Sequence, residues 1–157
     1  MQILVIASAL LLMSYIIIMA KLNGIQSSIS NNYYVSDDPH SFMITMVAVG
    51  LSMTPVMIML SNGEWYQFTC FFTGAGIIFV GVAAEFREPL TREVHMTAAC
   101  LSAISAVIWS YATIPLIAAL ATLVAMLILL FERKNTVYWL ELTMFVMVYT
   151  ISLHKLF

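Results

Sequence analysis

Six apolar runs, at about 2–20, 41–60, 65–84, 93–110, 113–131 and 136–156, take up most of this 157-residue chain. Each is close to the ~20 residues that a helix rising ~1.5 Å per residue needs to cross a hydrocarbon layer of ~30 Å. Gly50, Pro55, Gly74 and Gly76 fall inside the second and third runs, where membrane helices tolerate them better than soluble ones. With 62% hydrophobic and only 9% charged residues, the chain lies far outside the balance of a soluble domain. The expected fold is all-α: one polytopic transmembrane helix bundle of six spans over residues 1–157, with no soluble domain. The first run lacks the basic leader of a cleaved signal peptide, so it reads as a retained span.

Alternating the spans across the bilayer puts Lys21, Arg87, Arg92, Arg133 and Lys134 on one side and only Lys155 on the other. The positive-inside rule makes the loops 21–40, 85–92 and 132–135 cytoplasmic and puts both termini outside. The location expected is a cell membrane, inner or plasma. Trp65, Tyr66, Trp109 and Tyr111 are placed near one interface, and Tyr33, Tyr34, Tyr138 and Trp139 near the other. The net charge of −2 offers no basic surface, so no nucleic-acid partner is expected. The expected partners are membrane lipids, with a second copy or another subunit of a membrane complex as the remaining kind of association.

Helices in lipid associate by close backbone approach at small residues. The fourth run carries Ala98, Ser102 and Ala106 at four-residue spacing, the fifth carries Ala118 and Thr122, and the third carries Gly74, Gly76 and Gly81. Spans three, four and five are therefore expected to form the tight centre. Cys70 and Cys100 fall at different depths and read as small packing residues, not as a disulfide. The twelve methionines, scattered along the helices, read as packing too.

The polar break AEFREPLTREVHMTA, residues 84–98, holds Glu85, Arg87, Glu88, Arg92 and Glu93, five of the fourteen Asp, Glu, Lys and Arg residues in the chain, together with His95. Most of that cluster is what a short inter-helix loop needs to stay in water. His95 differs, because residues 95, 98, 99 and 102 share one helical face, which turns the imidazole into the bundle. Glu141 lies about one and a half turns into the sixth span, roughly 8–9 Å deep at ~1.5 Å per residue, where a carboxylate needs a partner, a proton or water. The expectation is a cytoplasm-facing polar pocket at the ends of spans three, four and six, built on His95, Glu141 and Glu85, with Glu88, Arg87 and Arg92 as further candidates. Asp37, Asp38, His40 and His95 are the weak candidates for a metal, without any recognisable ligand spacing. No cofactor is expected.

The stretch GVAAEFREPLTREVHMTAACLSAISAVIW, residues 81–109, has an acidic loop leading to a helix that opens on His and then small residues. In this layout the chain resembles an uncharacterised bacterial six-span membrane family, similar in arrangement to the damage-regulated autophagy modulator proteins. The resemblance implies a small multipass helical protein without an established reaction, and it maps that family's acid and histidine onto Glu85 or Glu88 and His95.

Three functional classes are in view. The first is binding of a lipid or small molecule, or a subunit role in a membrane complex. The second is an ion- or proton-coupled transporter using Glu141, although Pro55 and Pro115 do not fall where an inverted repeat would put them. The third is a metal-dependent membrane hydrolase, which lacks a second histidine near His95 and a partner motif in the sixth span. Enzymology ranks below binding.

Overall fold

A computed structural model describes residues 1–38, 40–83 and 89–157. All regular structure among them is helical: α1 (Gln2–Asn23), the single-turn α2 (Asn32–Val35), α3 (His40–Leu60), α4 (Phe68–Ala83), α5 (Pro89–Thr113), α6 (Pro115–Phe131) and α7 (Thr136–Leu156). Among the described residues, four stretches are long and apolar enough to cross a membrane: α1, α3, residues Arg92–Thr113 of α5, and α7. The third and fifth apolar runs form shorter helices of 16 and 17 residues, α4 and α6.

Local chemistry accounts for both short helices. The third run reads as helical from residue 65, but Ser61-Asn62-Gly63-Glu64 makes a turn in which Gly63 has φ +79°, a conformation that favours glycine. The turn continues through three-residue backbone bonds, Glu64 N–H to the Ser61 carbonyl and Gln67 N–H to the Glu64 carbonyl, so α4 starts only at Phe68. The fourth run extends to Thr113, and the single residue Ile114, at φ −142° and ψ 87°, separates it from α6. Pro115 disfavours helical backbone in the residue before it and suits the first position of the helix after it.

Three antiparallel pairings build the bundle. Along α4 and α5, the His95 ring bonds the Val80 carbonyl and the Ser102 hydroxyl bonds the Thr73 carbonyl, so seven residues along one helix match seven along the other. Between these contacts, a Cβ on Gly76 would stand 2.6 Å from Ser102 Cβ and 2.8 Å from the Ala98 carbonyl oxygen. Along α3 and α4, a Cβ on Gly50 would stand 2.8 Å from the Gly74 carbonyl oxygen, and one on Gly81 would meet Met46 Cβ at 2.7 Å. Glycine is required where the two backbones come this close. Along α1 and α7, Gln2 bonds the Leu156 carbonyl at 2.8 Å and Ser8 pairs with Tyr149 at 2.7 Å.

The tight centre is therefore α3–α4–α5, which corresponds to the second, third and fourth runs. The fifth run, α6, packs on α5 and α7 at the edge with Ala118 as its buried residue, because the partner that α4's glycine face finds is Gly50 and Thr54 of α3. Trp109, expected at an interface, is fully buried and donates its indole N–H to the Ser61 hydroxyl at 2.7 Å. Cys70 is buried and Cys100 exposed, both as free thiols.

Candidate functional site

An elongated cavity of about 110 Å3 runs between α3, α4, α5 and α7. Its wall on α3 extends from Phe42 to Met57, fifteen residues or ~22 Å of helix, and on α7 from Glu141 to Tyr149. Met46, Met53 and Met57 line it from α3 and Met144 from α7. These unbranched, polarizable side chains adapt their shape to what lies against them. Opposite them, α5 presents the small residues Ala99, Ala103 and Ala106, which leave room where a larger residue would fill the space.

One end of the cavity is closed by the segment between α1 and α3. That segment reads as a polar loop, yet it turns Ile29 (2% exposed), Asn32 and Tyr33 inward, with Ile29 and Ser30 on the cavity wall. Two bonds hold it to the first turns of α7. The Tyr138 backbone N–H, at the helix N-terminus where such groups lack intrahelical partners, donates to the Ser27 carbonyl at 3.2 Å. The Ile29 backbone N–H donates to Glu141 Oε2 at 2.6 Å. Tyr33 packs edge-on against Phe42, whose ring also meets Tyr15, so an aromatic cluster supports the segment from below.

Glu141 is the acid on the cavity wall. The other polar groups there are hydroxyls already engaged: Thr73 donates to the Thr69 carbonyl, Ser102 donates to the Thr73 carbonyl, and Tyr149 pairs with Ser8. Ser52 donates to Ser8 at 2.9 Å, so Ser52, Ser8 and Tyr149 tie α3, α1 and α7 together.

His95 lies one turn beyond the cavity. Its Nδ1 is 3.1 Å from the Val80 carbonyl, among the last carbonyls of α4, and because a carbonyl only accepts, Nδ1 carries the proton. The imidazole thus joins the end of α4 to the start of α5, on the face that the 95–98–99–102 spacing indicates. Arg92 is exposed at the same end of α5. Glu85, Arg87 and Glu88 lie outside the described residues; of the two other members of the expected His95–Glu141–Glu85 pocket, Glu141 lines the cavity and bonds Ile29 N–H, whereas His95 bonds the Val80 carbonyl and is not on the cavity wall.

Asp37, Asp38 and His40 are exposed around the start of α3, where the Asp38 carbonyl accepts from the Ser36 and Ser41 hydroxyls. Among the described residues, no three His, Cys, Asp or Glu side chains gather closely enough to hold a metal ion. In the connection between α6 and α7, Glu132 accepts backbone N–H bonds from Lys134 and Asn135, which hold its carboxyl below the usual carboxylate range.

The cavity itself was not legible from the chain, because it is a product of how four helices converge. The nearest signal is the stripe Met46, Met53 and Met57, spaced by seven and four residues on one face of α3. The chain matches no protein-family model, and no curated protein or solved structure shows significant similarity to it.

Proposed function

We propose that this is a multipass membrane protein, with α1 and α3–α7 as six spans, that binds a small apolar or amphiphilic molecule, such as a lipid chain, in its interhelical cavity. The observation that carries the reading is the cavity wall: methionines and alanines along its length and a single carboxyl near the end closed by Ile29 and Ser30. A cavity of ~150 Å3 lined by apolar side chains stays dry and takes up benzene or xenon, so one of this size and lining favours apolar guests over water. Lipid is the natural surrounding, since α6 leaves Leu116, Leu120, Leu123, Leu127, Leu130 and Phe131 exposed, an apolar surface larger than water-soluble monomers carry. The orientation proposed keeps the loops rich in Lys and Arg in the cytoplasm. The six-span family resemblance fits a binding role and adds no reaction to it.

The test is native mass spectrometry of the purified protein with co-purified lipid and added alkyl probes, comparing wild type with Ala103→Phe, which fills the cavity from α5. The expected result is a bound apolar species in the wild type that is lost in the variant. Equal occupancy in both would place any bound species elsewhere and sink the reading.

A further inference from the structure

The polar groups of the cavity wall are unequal, and the inequality defines what kind of guest the site selects. The Thr73 and Ser102 hydroxyls spend their protons on backbone carbonyls, 2.9 Å away in each case, and Tyr149 is paired with Ser8 at 2.7 Å. Ser30 is paired with the Ser28 hydroxyl at 3.1 Å. Glu141 is the exception in kind: when ionised, its carboxyl offers about four acceptor positions, and the hydrogen bond it receives among the described residues comes from a neutral backbone amide, Ile29 N–H. No cationic side chain among the described residues shares that bond. We infer that the site selects an amphiphile with an alkyl or aryl body and a cationic, hydrogen-bond-donating head such as a primary ammonium, the head on Glu141 and the body along Met46, Met53 and Ala103.

The inference rests on the binding role proposed above and names the ligand class for it. Position supports the orientation of the guest. Glu141 lies at the end of the cavity that Ile29 and Ser30 line, and from there to Val148 and Met57 the wall is mainly methionine, alanine, aliphatic and aromatic side chains, with the Thr73, Ser102 and Tyr149 hydroxyls already engaged, which matches a chain better than a second polar head. An ammonium supplies donors and charge that the carboxylate lacks, in surroundings where a charge-assisted bond is about twice as strong as a neutral one. A carboxylate head would face Glu141 as a like charge, and a hydroxyl head gains a neutral bond only.

Three probes of equal chain length separate these cases: octylammonium, octanol and octanoate, titrated into the purified protein by displacement of a fluorescent apolar reporter. Affinities are taken relative to Ala103→Phe, so that partition into detergent cancels. The expected order is octylammonium about tenfold tighter than octanol, with octanoate weakest. In Glu141→Gln, which keeps an amide oxygen for the Ile29 N–H, the octylammonium advantage disappears. Equal affinity for the three heads in the wild type, or an ammonium preference that survives Glu141→Gln, overturns the inference and leaves the cavity reading intact. Failure of every probe to distinguish wild type from Ala103→Phe overturns both. If Glu141→Gln does not fold, judged by its helical circular dichroism, the order of the three heads on the wild type decides alone.

Discussion

At the scale of single residues, the polar side chains inside this bundle act mostly as fasteners between helices. His95 holds the end of α4 through the Val80 carbonyl. Replacing it by Ala removes the donor and is expected to cost about 1 kcal/mol of stability, whereas Asn, whose side-chain amide stands near the Nδ1 position, keeps most of it. Thermal unfolding in detergent of the two variants checks this, and an equal loss in both would point to a role for the rest of the ring. Gly76 is the sharper case, because an added Cβ meets Ser102 Cβ at 2.6 Å and backbone at 2.8 Å. Gly76→Ala is expected to destabilise by about 1–3 kcal/mol as α4 and α5 are forced apart, while Ala119→Leu on the exposed side of α6 leaves the unfolding midpoint unchanged. The inward face of α5 was legible in the spacing 95–98–99–102. The partners of that face were not, because helical periodicity says which side is buried and nothing about which helix covers it. Ser8 shows the same limit: nothing in the first run, which also holds Ser14, marks it out, and only the approach of Ser52 and Tyr149 gives it a role.

Among the elements, connections departed most from what the chain suggests. The 24–38 segment has the composition of a solvated loop, yet it buries Ile29, Asn32 and Tyr33, too few positions to make a pattern that separates from chance. Glu132 governs a second connection, between α6 and α7, through its bonds from Lys134 and Asn135 N–H. Those bonds favour the ionised carboxyl and lower its pKa in the folded protein. The stability they contribute is fully present above the ordinary carboxylate pKa of ~4.3 and is lost as pH falls through the lower folded value. Glu132→Gln is therefore expected to lower stability near neutral pH and to flatten its decline in acid, measured as unfolding midpoints between pH 7 and pH 3. An unchanged acid slope would mean that these bonds do not distinguish the folded from the unfolded chain.

For the molecule as a whole, the apolar helices were readable from hydropathy alone, six among the described residues, of which four are long enough to cross a membrane. The shortfall at α4 and α6 was not, because turn chemistry at 61–67 and Pro115 trims helices that hydropathy would extend. The proposed topology puts residues 24–38 and 132–135 on one side of the membrane and 61–67 with both termini on the other. Single cysteines at Ser28 or Lys134, in a background without Cys70 and Cys100, are expected to react with an impermeant maleimide only after the cytoplasmic face is opened. One at Asn62 should react in intact cells. The reverse pattern would invert the orientation, and reaction of Ser28 and Asn62 from the same side would remove a span.

The bonds that close the cavity also set an order of assembly. Ile29 is separated from Glu141 by 112 residues, and Ser8 from Tyr149 by 141. During synthesis α7 leaves the ribosome after α1–α6, so the segment after α1, which already has Phe42 to pack on, cannot make its two bonds to α7 until translation has passed residue 141. Up to that moment the cavity lacks the wall that α7 supplies, and under the binding role proposed above a guest has its easiest entry before α7 is in place.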